Sequence, residues 1–190
     1  RGESLKNAAL SSGGLTQSVN ARPVPQVRVA LPDFWAIPGA HNWLAVKGHL
    51  AYGLFTDNRW QRETHPEGAL YSANALYHSK AGFLRIGNEK KFPLSFIGGL
   101  EMSAQFGGEA WNVGRRTDDP TFDTSHVNMG HGFKSFWHAF IPGGSDAFDG
   151  AYLNNEGNQL GSWHFQLNWK GKDWNLKAYA EHFFEDHSQM

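Results

Sequence analysis

Ten histidines, two pairs of adjacent carboxylates and a group of arginines and tryptophans are the residues of this 190-residue chain that could do chemistry. His126 and His131 flank Val-Asn-Met-Gly, and His182 and His187 flank Phe-Phe-Glu-Asp. A metal centre needs several ligands converging at fixed geometry, and neither pair has a recognised ligand spacing. Cysteine is absent, which removes disulfides and thiolate ligands. That absence is compatible with export and does not fix the compartment. Asp118-Asp119 and Glu185-Asp186 are neighbours in sequence, and such neighbours rarely face one substrate, so a glycosidase pair is not indicated. Ser125-His126 has no identifiable acid partner, and no G-x-S-x-G nucleophile elbow is present. The glycines after Phe106 do not match a phosphate-binding loop. The expectation is a protein that is not an enzyme and uses no metal or cofactor.

Arg59, Trp60, Arg62, Trp111, Arg115 and Arg116 suggest a different chemistry. Sugars stack their C–H faces on aromatic rings, and guanidinium groups pair with carboxylates. Together these six residues would suit an acidic polysaccharide. They would equally serve as ordinary loop anchors and solvated charges. Lys+Arg is 17 and Asp+Glu is 18, for a net charge of −1. This balance gives no electrostatic case for nucleic acid.

The elements that would position these groups are strands. Glycine is 22 and aromatic residues are 14% of the chain, a composition that favours strands and turns over helices. Residues 43–55 put Leu44, Val46, Gly48, Leu50, Tyr52 and Leu54 on one face and Lys47 and His49 on the other. Residues 92–107 alternate in the same way, with Glu101 and Gln105 on the wet face. Residues 160–170 set Trp163, Phe165, Leu167 and Trp169 against His164. Residues 173–184 set Trp174, Leu176, Ala178 and Ala180 against Lys177 and Glu181. Residues 70–87 change phase, which predicts a bulge near residues 80–82. Residues 26–31 form a sixth candidate, which Pro32 is expected to end.

The connections alternate in length. Residues 87–91 and 170–173 are short, whereas 56–69 and 108–159 are long. Counting strands up and down puts both short turns at one end and both long loops at the other, as in outer-membrane barrels. A soluble sandwich or lipocalin-like barrel also has one uncharged face per strand. Length favours the membrane: a spanning strand needs about 9–11 residues, and soluble strands run about 5–6. The predicted class is all-β, an antiparallel transmembrane β-barrel, with residues 1–190 forming part of one barrel domain of about 6–8 strands. No run of about 18 apolar residues predicts a membrane helix. The mean hydropathy of −0.52 is no obstacle, because lipid-facing and lumen-facing residues alternate. Lys47, His49, Glu101, Gln105, His164, Lys177 and Glu181 would line the lumen, which leaves a small-solute channel as an alternative function.

In the long loop, Phe133, Phe136, Trp137, Phe140 and Ile141 fall at i, i+3, i+4, i+7 and i+8. This predicts a short amphipathic helix over residues 133–141, packed on the barrel mouth or constricting the pore. Pro142-Gly143-Gly144 would stop it.

Several stretches in order resemble the capsule-assembly Wzi family, especially its Bacteroidetes-type members. They run from Gly13-Gly14-Leu15 through Arg22-Pro23 and Pro25-Gln26-Val27-Arg28-Val29. Next come Val46-Lys47-Gly48-His49, Leu76-Tyr77-His78-Ser79-Lys80, Gly98-Gly99-Leu100-Glu101 and Gln105-Phe106-Gly107-Gly108. The last are Glu156-Gly157-Asn158, Leu160-Gly161-Ser162-Trp163 and His182-Phe183-Phe184-Glu185-Asp186-His187-Ser188. The resemblance implies a Gram-negative outer-membrane barrel of about eighteen strands, with helices obstructing its lumen. It further implies a non-enzymatic lectin that anchors capsular polysaccharide, with that polysaccharide and outer-membrane lipid as partners. No short sugar-binding motif transfers residue by residue. The strand count here is well below the family's, so the chain is expected to be a portion of a longer polypeptide.

Overall fold

The computed structural model describes residues 5–7, 9–17, 22–112, 126–141 and 159–185. The main element is a six-stranded antiparallel sheet in the order β1-β2-β4-β5-β8-β9. Its strands are β1 (Gln26–Ala36), β2 (Leu44–Leu54), β4 (Leu76–Ile86), β5 (Leu94–Phe106), β8 (Gln159–Lys170) and β9 (Asn175–Glu185). Each is 11 to 13 residues long, about twice the usual soluble strand. The sheet is open, with β1 and β9 at its edges. A second, three-stranded sheet joins β3 (Tyr71–Ala73), β6 (Glu109–Trp111) and β7 (His126–Asn128). Two helices complete the described chain: α1 (Trp60–Thr64) and α2 (Phe133–Phe140). Among the described residues, no helix is long and apolar enough to cross a membrane.

Register defines the two faces of the large sheet. Val29↔Leu50↔Lys80↔Met102↔Gly161 and Trp35↔Val46↔Leu84↔Gly98↔Phe165 run across one face. Arg28↔Ala51↔Ser79↔Ser103↔Leu160 and Ala81↔Glu101↔Ser162 run across the other. Burial is inverted relative to a water-soluble sheet. The apolar face exposes Val27, Val29, Leu31, Leu50, Leu84, Phe96, Phe165 and Leu167. The polar face buries His49, Ser79, Ser95, Glu101, Ser103, Ser162, His164 and Gln166. The face that should drive folding in water is the one left uncovered.

The short connections lie together at one end of the sheet, where Gly87 donates its N–H to the Trp43 carbonyl at 2.9 Å. Gly87 has φ +133°, and a Cβ there would stand 2.8 Å from the Leu94 oxygen. Trp35, Phe92, Trp169 and Trp174 are exposed at this end.

Two sequence expectations change. Pro32 does not end β1, which continues to Ala36 with a register shift between Leu31 and Trp35. β1 is an edge strand, and a proline is tolerated at an edge bulge because the ladder is already interrupted there. Residues 80–82 carry no bulge, since β4 pairs without a break on both sides. The phase change lies at Asn74, φ +55°, where the chain leaves one sheet and enters the other. His78 and Lys80 consequently sit on the apolar face.

The reason is α2, which packs on that face. A helix leaves its last carbonyls without partners, and the sheet supplies donors. Tyr52 Oη donates to the Phe136 carbonyl at 3.1 Å, and Gln159 Nε2 to that of Ala139 at 2.6 Å. Lys80 Nζ donates to that of Phe140. The Phe136 ring sits 5.1 Å from those of both Tyr52 and Phe106. The expected helix stop at residues 142–144 lies outside the described residues.

Candidate functional site

Two regions gather functional side chains: the end of the sheet with the long connections, and the centre of its polar face. At the first, β2 leads into α1 through Asp57. Its carboxylate accepts the backbone N–H groups of Arg59 and Gln61 at 3.0 and 3.1 Å, anchoring the turn that enters the helix. Arg59 takes the left-handed conformation, φ 63°. The result is a cavity of about 710 Å³ lined by Arg22, Arg59 and Arg62, together with Asp57, Asn58 and Asn74. Among the described residues none of the three guanidinium groups has an ion-pair partner. The cavity therefore carries an excess of positive charge and five-donor forks suited to an oxyanion.

Trp60 is exposed on α1. Trp111 is placed differently. It is stacked between Tyr71, at 6.2 Å between ring centroids, and His126, at 3.8 Å. His65 extends the row, 4.4 Å from Tyr71. The register Tyr71↔Trp111↔His126 puts these rings on one face of the small sheet. Glu109 holds the row by accepting from Trp111 Nε1 at 3.3 Å and lying 3.6 Å from His126 Nε2. His126 covers one face of Trp111, which leaves less of its ring to offer a sugar. Arg115 and Arg116 lie outside the described residues, as do Ser125, Asp118, Asp119 and His187.

The seven residues expected to line a lumen, Lys47, His49, Glu101, Gln105, His164, Lys177 and Glu181, all occupy the polar face. They do not share one environment. Gln105 and Lys177 are exposed, whereas His49, Glu101 and His164 are buried. Part of that cover is the N-terminal segment. Thr16 Oγ1 lies 2.7 Å from Ser162 Oγ, and Gln17 Nε2 donates to Tyr77 Oη at 3.3 Å and Ser103 Oγ at 3.5 Å. Lys6 forms an ion pair with Glu181.

Within this region Ser162 Oγ is 2.9 Å from His164 Nε2, and His164 Nδ1 is 3.0 Å from Glu181 Oε1. Those are the spacings of a nucleophile, base and acid. Carboxylates flank both ring nitrogens, since Glu101 Oε2 lies 3.7 Å from Nε2. Ser162 is fully buried and Thr16 occupies its oxygen. In this arrangement the network ties Lys6, Thr16 and Gln17 to the sheet. Among the described residues no group of three His, Asp or Glu could hold a metal ion.

Sequence reasoning missed Arg22, hidden in a proline-rich approach, and Ser162, Thr16 and Lys6. Ser162 and His164 could have been paired from their i, i+2 spacing on one strand face. The contacts across 146 residues of chain between Thr16 and Ser162 had no local signal.

No family model, no curated protein and no solved structure matches this chain.

Proposed function

We propose that this chain forms part of an outer-membrane β-barrel whose long-loop end binds an acidic surface polysaccharide and anchors it without catalysis. The observation that carries the ligand is the cavity lined by Arg22, Arg59 and Arg62, with no carboxylate paired to any of them among the described residues. Exposed Trp60 next to it suits a pyranose ring. The membrane part of the reading is supported by strands of 11 to 13 residues, the exposed apolar face and the ordered Wzi-like stretches. It requires further strands pairing with β1 and β9, since unpaired backbone groups are not tolerated in lipid.

The test is binding of purified acidic capsular polysaccharide to the intact protein, compared with neutral dextran. Changing Arg59 and Arg62 together to glutamine removes two charge-assisted contacts of about 1.5–3 kcal/mol each. Affinity for the acidic glycan should fall at least about tenfold. Unchanged affinity, or equal binding of dextran, would reject the assignment.

A channel is the second reading. It is favoured by a cavity of about 430 Å³ on the polar face, lined by Lys47, Arg85, Gln166 and Lys177. Thr16 and Gln17, bonded to the same face, count against free passage. Conductance in planar bilayers separates the two readings.

A further inference from the structure

Helix α2 covers the part of the apolar face where aromatic side chains of the strands would otherwise meet a membrane interface. At the short-turn end the strands and their turns expose Trp35, Phe92, Trp169 and Trp174, a row suited to a headgroup boundary. At the opposite end Phe106 is buried and Tyr52 half-buried, both against Phe136 of α2. The helix presents its own aromatic surface there. Phe133 is 85% exposed, Trp137 50% and Ile141 45%. The spacing i, i+4, i+8 places them on one side of α2, opposite Ser135 and Ala139, which are buried.

The separation of the two aromatic levels fits a bilayer. From Trp169 to Gln159, which bonds α2, β8 rises about 34 Å. At a strand tilt of about 40° this spans about 26 Å, against an apolar band of about 25 Å in outer-membrane barrels. The bonds from Tyr52, Lys80 and Gln159 give the Phe136, Phe140 and Ala139 carbonyls partners on the sheet. The helix is therefore held against the sheet without exposing those polar groups to the apolar surroundings.

We infer that α2 is an interfacial membrane anchor, its Phe133, Trp137 and Ile141 side chains seated in the lipid headgroup boundary at the long-loop end. This rests on the membrane reading proposed above. The ligand is the bilayer itself, and the helix replaces the aromatic girdle that it covers.

The absence of cysteine lets single cysteines carry spin labels without background. The intact protein, reconstituted in phosphatidylcholine vesicles, is labelled at Trp137→Cys, Phe133→Cys, Leu167→Cys or Trp60→Cys. Collision with oxygen is then compared with collision with a water-soluble nickel chelate. Labels at 133 and 137 should favour oxygen and report a depth of about 5–10 Å. The label at 167 should likewise favour oxygen, and that at 60 should favour the chelate. A label at 137 as chelate-accessible as the one at 60, with 167 still in lipid, overturns the anchor and leaves the barrel standing. Chelate access at 167 overturns both. Phe133 is so exposed that its replacement tests the idea even if the Trp137 variant fails to fold.

Discussion

Replacing Phe165 with arginine should destabilise this protein far more than its exposure suggests. Phe165 lies on the apolar face of β8, is 44% exposed, and among the described residues has one ring neighbour, Phe96, with centroids 6.4 Å apart. In water, such a surface substitution changes stability by about 0.5 kcal/mol or less, plus about 0.5–1.5 kcal/mol for the lost ring pair. In a bilayer, arginine near the midplane costs about 2–4 kcal/mol. Leu176 provides the internal comparison. It is 60% exposed and directly opposite Trp169, at the short-turn end of the same face. Arginine near the interface costs about 0–1 kcal/mol. The expected difference of about 2–3 kcal/mol is about a 30- to 150-fold change in the folding equilibrium. The assay is reversible denaturant titration of the intact protein in phospholipid vesicles, with Phe165→Leu measuring the packing loss alone. Equal costs for Phe165→Arg and Leu176→Arg, after that correction, would refute the membrane argument.

Lys80→Met removes the donor to the last turn of α2, a charge-assisted bond of about 1.5–3 kcal/mol. Amide exchange in Phe133–Phe140 should then accelerate about tenfold or more, and unchanged exchange would mean that Lys80 does not hold the helix. Glu181→Gln removes the ion-pair partner of Lys6 and a contact of His164. Proteolysis within residues 5–17 should become faster while the strands stay protected, and equal digestion of both proteins would count against the latch. Gly87→Ala forces a side chain into a φ of +133° and against the Leu94 carbonyl. A loss of about 1–3 kcal/mol is expected in denaturant titration, and a neutral result would show that this turn relaxes freely.

The long strands were legible because alternation is a property of the chain alone. Side chains of Leu44 to Leu54 point alternately to two faces whatever surrounds them. The same holds for Leu94–Phe106, Gln159–Lys170 and Asn175–Glu185. The periodicity of Phe133, Phe136, Trp137 and Phe140 likewise revealed α2. Local pattern failed where the surroundings changed what a residue needed. The phase change between Tyr71–Tyr77 and Leu84–Ile86 suggested a bulge. Once α2 provides the Phe140 carbonyl to Lys80, the strand needs none. Pro32 looked like a terminator because its neighbours across the sheet were unknown.

For the candidate site the division is similar. Arg59 and Arg62 could be singled out as charge on a long connection, but their convergence with Arg22 needs residues 22 and 59 brought to one cavity. The sequence by itself determined the antiparallel strands, their two chemically distinct faces and the helical stripe, because each depends on repeats of two or about four residues. The tertiary structure alone decided which side of the sheet α2 covers, how Lys6, Thr16 and Gln17 meet the polar face, and which rings flank Trp111. These depend on contacts between distant segments, such as Gln17 with Tyr77 and Thr16 with Ser162, and no local periodicity encodes a partner that far along the chain.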